Sequence, residues 1–302
     1  MKRVEDYMKK NFRGAGVALI TPFKTDLTID FEGLGRIVDN QLENQIDYLV
    51  VLGTTAETAT LNTIEKQQVV DFVGKRVNGQ IPIVIGIGGN NTQAIIDSFR
   101  KMDLSTADAI LSVVPYFSKP TQEGIYQHYI AIANASPLPV ILYNVPGRTG
   151  INMSAETTLR LAYASNKIIA TKEASGNIGE ITKILRDKPT GFTVLSGDDS
   201  LVVPMIAIGA EGVISVAANI IPKAISDLTH FALDGNFKAA AKLHMSMQKI
   251  CDALFADGNP GGVKAALNSA GIIENILRLP LVPVSNATYE VLAKEIKIFL
   301  QS

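Results

Sequence analysis

The sequence predicts an α/β protein: a TIM (β/α)8 barrel followed by a C-terminal helical extension. Three observations carry this. Eight short runs rich in Val and Ile recur along the first ~220 residues. They are continuous rather than alternating, as strands are when both faces of a parallel sheet are buried. Amphipathic stretches fill the gaps, and the runs mostly start about 25–33 residues apart, the length of a βα unit. A doubly wound open sheet is the alternative, but it seldom needs eight strands at such even spacing.

The runs, in order, are "GVALITPF" (16–23), "YLVVLG" (48–53), "IPIVIGIGG" (81–89), "AILSVVPYF" (109–117), "PVILYNVP" (139–146), "KIIATKEA" (167–174), "FTVLSGDD" (192–199) and "GVISVAANI" (212–220). "FEGLGRIVDNQLENQ" follows the first as a helix and "TIEKQQVVDFVGKRV" the second. "QEGIYQHYIAIANA" follows the fourth and "SAETTLRLAYAS" the fifth. Ser154 with Thr157, and Asn62 or Thr63 with Glu65, mark helix starts. After residue 222 the strand signal stops. Helical stretches at about 222–255, 260–274 and 286–300 follow, broken by "GNPGG" and "LPLVPVS". The domain reading is therefore a barrel over 1–222, with a short N-terminal helix, and an extension over 223–302 that is not an independent domain.

Bulk composition narrows the function. The 302 residues are 47% hydrophobic, enough for a large core. The 28 basic and 29 acidic residues leave a net charge of −1, with no basic stripe for nucleic acid or an anionic membrane surface. Cys251 is the sole cysteine, so no intrachain disulfide forms. "MKRVEDYMKKNFRG" lacks an apolar signal core, and no apolar run is long enough to span a bilayer. The expectation is a soluble, cytoplasmic protein.

In such a barrel the chemistry sits where strands end in βα loops. The ends read "GTTAET" (Gly53, Thr54, Thr55), "GIGGNN", "PYFSKP", "YNVPGRTG" (Tyr143, Arg148), "TKEASGN" (Lys172), "SGDD" (Gly197) and "ISVAAN" (Ile214). Lys172 is the candidate amine among them. Burial disfavours the charged form of a lysine, and a neutral lysine attacks carbonyls to form a Schiff base. The protonated imine is an electron sink, and deprotonating the adjacent carbon gives a nucleophilic enamine. A proton shuttle is needed, and Tyr143 on the adjacent strand fits. A free tyrosine titrates near ~10, so it needs hydroxyl partners, of which Thr54 is one. The amides of "GTT" suit a carboxylate, and Arg148 offers a planar fork for a second one. Each group has a plainer reading. A strand-end lysine usually reaches solvent, a strand tyrosine fills the core, and "GTT" is a turn. "GIGGNN" is not a dinucleotide fingerprint, since its third glycine is missing. No metal-ligand spacing surrounds His128, His230 or His244, which fall in helical stretches. The functional reading rests on the coincidence of these groups at strand ends.

Together "GTTAET", "YNVPGRTG", "KEASGN", "LSGDD" and "GVISVAAN" resemble the dihydrodipicolinate synthase (4-hydroxy-tetrahydrodipicolinate synthase) family of class I pyruvate aldolases, which is related to N-acetylneuraminate lyase. The resemblance runs from "GVALITPF" to "LRLPLVPV". It implies a lyase of diaminopimelate and lysine biosynthesis that joins pyruvate to L-aspartate 4-semialdehyde. No external cofactor or metal is implied, and the family assembly is a homotetramer built as a dimer of dimers. By the resemblance, Lys172 forms the imine with pyruvate, Tyr143 relays protons, and Thr54 hydrogen-bonds to Tyr143. Thr55 holds the pyruvate carboxylate, Gly197 and Ile214 line the pyruvate end, and Arg148 receives the semialdehyde carboxylate.

Two departures stand out. The family motif "PYYN" is "PYFS" here, so Phe117 occupies the position of a relay tyrosine that normally reaches into a neighbouring subunit's site. Losing one relay hydroxyl is expected to slow turnover roughly tenfold to thousandfold, or to accompany another carbonyl acceptor. A non-catalytic pyruvate-binding protein is the remaining alternative. At the allosteric pocket where family members bind lysine, Lys66 and Ala94 replace His and Glu beside Thr58, Ala59, Thr63, Asn90 and Tyr116. A cation at Lys66 repels a lysine ammonium, so weak or absent lysine inhibition is expected.

Overall fold

The structure is a computed structural model and describes residues 12–301. The expected short N-terminal helix lies outside the described residues. Eight parallel strands close into a barrel: β1 (Gly14–Ala18), β2 (Tyr48–Val51), β3 (Ile83–Gly86), β4 (Ala109–Val113), β5 (Val140–Asn144), β6 (Ile168–Glu173), β7 (Thr193–Ser196) and β8 (Gly212–Ser215). β1 closes the ring on β8, with Gly16 paired to Ile214 and Val17 to Ser215. Every expected strand is present, each shorter than its apolar run. The surplus is buried loop: Leu19, Ile20 and Phe23 follow β1 and are packed in the core.

Alternation along the strands sorts side chains into two layers. Val50, Val84, Leu111, Ile141, Ala170, Leu195 and Ile214 fill the barrel interior. Tyr48 lies across this interior, donates its hydroxyl to the Val213 carbonyl (3.0 Å), and stacks edge-on against Phe12. Gly16 makes this possible, because a Cβ there would lie 2.2 Å from the Tyr48 ring. The opposite strand faces pack against the surrounding helices.

Helices at Phe31–Glu43, Thr63–Val77, Gln122–Ala135 and Ala155–Ala164 match the sequence expectation. Asn62 and Glu65 form a reciprocal capping box, and the Ser154 side chain accepts from the Thr157 amide. Further helices at Thr92–Lys101 and Ile178–Asp187 complete the corresponding βα units. The stretch expected at 222–255 is two helices, Pro222–Leu233 and Phe237–Ala256. Gly235, at φ 81°, turns the chain between them, a left-handed conformation that glycine takes at little cost. Pro222–Leu233 packs on β1 and β8 and so occupies the place of the barrel's eighth helix. Gly261–Ser269 and Asn286–Leu300 follow. Among the described residues no helix is long and apolar enough to cross a membrane.

Candidate active site

The C-terminal ends of the strands open into a cavity of about 630 Å³, which Lys172, Tyr143, Thr54, Thr55, Arg148 and Gly197 all border. Lys172 and Tyr143 are cross-strand partners in the β5–β6 register and both point inward. They are 5% and 7% exposed, and the Lys172 Nζ lies 4.4 Å from the Tyr143 ring centroid. The period of two that turns Ala170 and Lys172 inward turns Thr171 and Glu173 outward.

Gly197 follows β7, and its amide donates to the Glu173 carbonyl at 2.7 Å. A Cβ at this position would lie 2.7 Å from the Ala174 Cβ and 3.0 Å from the Lys172 Cε. The glycine thus leaves free the space that the lysine stem crosses. Ile214 is packed in the barrel interior and does not border the cavity; Val216 does.

Thr54 and Thr55 sit in a 3₁₀ turn, Thr54–Ala56. Thr55 is buried, and its hydroxyl accepts a hydrogen bond from Asn259 Nδ2 at 3.0 Å. Thr54 is on the exposed rim while Tyr143 lies below it, and among the described residues their hydroxyls are not bonded to each other. Arg148 lies in a short helix, Pro146–Thr149, and donates to the Asn259 carbonyl at 3.4 Å.

Asn259 therefore joins the two carboxylate-binding candidates, and its buried Oδ1 has no hydrogen-bond partner among the described residues. Sequence reading took "GNPGG" only as a helix break and missed this residue. It also missed the roof of the cavity, where Cys251, Asp252, Phe255 and Ala256 project from the helix Phe237–Ala256. Burial, helped by nearby Asp198 and Asp199, pushes the Cys251 thiol upward in pKa, so it stays protonated.

Behind the cavity, on the outer face of β6, burial raises the Glu173 carboxyl to about 7, and the nearby Glu180 adds to this. Asn144 Nδ2 and Ser175 Oγ donate to Glu173 and act in the opposite direction.

A second cavity of about 480 Å³ adjoins the first through Thr54, Tyr143 and Arg148. Thr58, Ala59, Lys66 and Tyr116 line it; Thr63, Asn90 and Ala94 do not. Phe117 lies outside both cavities, 88% exposed and held at φ 71°. Left-handed backbone is unfavourable for a residue with a Cβ, and the turn is closed by the Ser118 amide donating to the Tyr116 carbonyl at 2.9 Å. Among the described residues no group of three or more potential ligands could hold a metal ion. His128, His230 and His244 lie on helices, as expected, and His128 is buried against Thr92 Oγ1 at 2.8 Å.

Residues 11–299 match the dihydrodipicolinate synthetase family. The 4-hydroxy-tetrahydrodipicolinate synthase of Parabacteroides distasonis is 54% identical over 280 residues, which is 93% of this chain and 94% of that protein. The crystal structure of dihydrodipicolinate synthase from Thermotoga maritima superposes with a TM-score of 0.93 at 40% identity, covering 95% of this chain and 98% of that one. The chloride-inhibited dihydrodipicolinate synthase from Acinetobacter baumannii, complexed with pyruvate, gives a TM-score of 0.92 at 38% identity over 95% of this chain and 98% of that one. The chain belongs to the dihydrodipicolinate synthetase family.

Proposed function

We propose that the chain condenses pyruvate with L-aspartate 4-semialdehyde through an imine on Lys172. The observation that carries this is the setting of Lys172: buried, against the Tyr143 ring, with Gly197 leaving room beside its stem. The Lys172 amine adds to the keto carbon of pyruvate and water leaves, giving the imine. Tyr143 accepts a proton from the methyl carbon as the enamine forms, with Thr54 as its hydroxyl partner once substrate is bound. The enamine carbon attacks the aldehyde. The amino group of the semialdehyde then attacks the imine carbon, closes the ring, and displaces the Lys172 amine. The imine is itself the electron sink, so this sequence calls for no external cofactor.

Thr55, at the buried turn, holds the pyruvate carboxylate, and Gly197 clears its end of the site. Arg148, exposed at the mouth, receives the carboxylate of the semialdehyde. The exposed, left-handed Phe117 supports an assembly in which this residue is covered by a second copy of the chain.

Reductive trapping tests the reading. Incubation with pyruvate followed by borohydride is expected to leave a 1-carboxyethyl group on the Lys172 amine, visible by mass spectrometry, and Lys172→Ala removes the adduct. Folded wild-type protein with no adduct at Lys172 would overturn it.

A further inference from the structure

The loop that carries Thr54 and Thr55 is anchored from behind by a buried charge pair. Glu57 is the joint between two 3₁₀ turns, Thr54–Ala56 and Thr58–Thr60. It holds φ 52°, ψ 35°, a left-handed conformation unfavourable for a residue with a Cβ. Its amide closes on the Thr54 carbonyl at 3.1 Å, and its own carbonyl receives the Thr60 amide at 2.9 Å. The side chain turns away from solvent. Glu57 Oε1 is ion-paired with Lys264 Nζ, and both side chains are fully buried. Glu57 Oε2 accepts from the Arg278 amide at 3.0 Å.

Both partners come from beyond the barrel. Lys264 lies on the helix Gly261–Ser269, and its ammonium also donates to the Ile276 carbonyl at 2.9 Å. Arg278 holds Glu65 through two hydrogen bonds and donates to the Thr60 carbonyl at 3.0 Å. The Phe23 ring, from the first βα loop, lies 4.1 Å from Lys264 Nζ and 4.4 Å from the Arg278 guanidinium carbon. Cations and carboxylates therefore balance, and one aromatic face serves both cations.

A buried ion pair is weak evidence for stability, because apolar residues of the same shape often do as well. What it supplies is direction. The pair fixes the joint of the loop at one point, two residues from Thr55. Asn259, five residues before Lys264, fixes the Thr55 hydroxyl from the other side.

We propose that Glu57, held by Lys264 and Arg278, is a positioning residue for the pyruvate-carboxylate turn, and that the C-terminal extension is thereby part of the active site. The inference rests on the reading of Lys172 and Thr55 as the pyruvate site. Glu57→Gln turns an amide toward the Lys264 ammonium and displaces the joint. Removing both charges in Glu57→Gln/Lys264→Met leaves no unpaired charge to hinder folding, yet removes the ionic anchor of the loop to Lys264.

The test is the pyruvate concentration that half-saturates borohydride trapping on Lys172, measured well below the unfolding temperature. Both variants are expected to raise it about tenfold while still reaching full adduct at saturating pyruvate. Val73→Ala, a buried change on the helix Thr63–Val77 away from the loop, lowers the melting temperature and is expected to leave half-saturation unchanged. Wild-type-like half-saturation in the Glu57 variants, or an equal shift in Val73→Ala, overturns the positioning role alone. No adduct in the wild-type protein overturns the functional reading and this inference together.

Discussion

The side-chain nitrogen of Lys172 lies 4.4 Å from the centroid of the Tyr143 ring, on strands whose register pairs the two residues directly. One tyrosine thus has two separable parts. Its ring packs against the amine, and its hydroxyl, unbonded among the described residues, faces the cavity where a proton would be transferred. Tyr143→Phe keeps the first part and removes the second. It is expected to form the pyruvate adduct on Lys172 as wild type does, while turnover with both substrates falls about a hundredfold to ten-thousandfold. Adduct mass and steady-state rate, measured on one preparation, check this. Loss of the adduct in parallel with the rate would assign the tyrosine to binding instead.

Gly197 makes an equally direct case. A methyl group at this position meets the Ala174 Cβ at 2.7 Å and the Lys172 Cε at 3.0 Å, so one of them must move. Ala174 is held just past the end of β6 by the hydrogen bond its amide donates to the Asn144 carbonyl, which leaves the lysine stem as the softer neighbour. Gly197→Ala is expected to lower stability by about 1–3 kcal/mol and to suppress trapping at Lys172 in protein that is still folded. Urea unfolding and adduct yield, read together, separate the two effects. Full adduct yield would show that the lysine does not need the space.

Phe117 sets up a gain of function. The ring is 88% exposed on its own chain, at a left-handed backbone angle. If a second copy takes the ring into its site, Phe117→Tyr delivers a hydroxyl there. Turnover is expected to rise roughly tenfold or more, with trapping at Lys172 unchanged. The gain is expected to disappear on dilution, when copies separate. A rate that is unchanged by the substitution at every protein concentration would remove Phe117 from the relay.

The barrel was legible because each buried parallel strand leaves a continuous apolar run and each surface helix a periodic one. The strand-end groups were legible because barrel geometry sends strand ends to one face. The roof was not. Cys251 and Phe255 reach the cavity from a helix whose pattern records only that it packs, not against what. Asn259 was invisible for a similar reason: its partners, Thr55 and Arg148, are more than a hundred residues away. Glu57 was quoted within "GTTAET" without a role, since only the fold brings Lys264 beside it. The same holds for Ile214, whose inward direction follows from strand alternation but whose depth below the cavity does not.

Glu173 yields a prediction in pH. Its carboxyl, behind Lys172 on β6, is raised to about 7, chiefly by burial; hydrogen bonds from Ser175 and Asn144 reduce the effect without cancelling it. In the unfolded chain the group titrates near the ordinary glutamate value, about 4.3. The folded protein therefore binds this proton more tightly than the unfolded chain does. The stabilisation is fully present below about pH 4 and is lost as pH rises through 7. Glu173→Gln stays neutral throughout and keeps a side chain that bonds Asn144 and Ser175. The stability of wild type relative to the variant is expected to fall by about 2–3 kcal/mol between pH 5 and pH 8. Urea unfolding at the two pH values measures it. A difference that stays constant, or that grows in favour of wild type, would mean that Glu173 is ionised in the folded protein at neutral pH. The direction matters for the site as well. Glu173 shares its strand with Lys172, so a proton there sets the charge on the outer face of β6 within the range where the amine must meet its substrate.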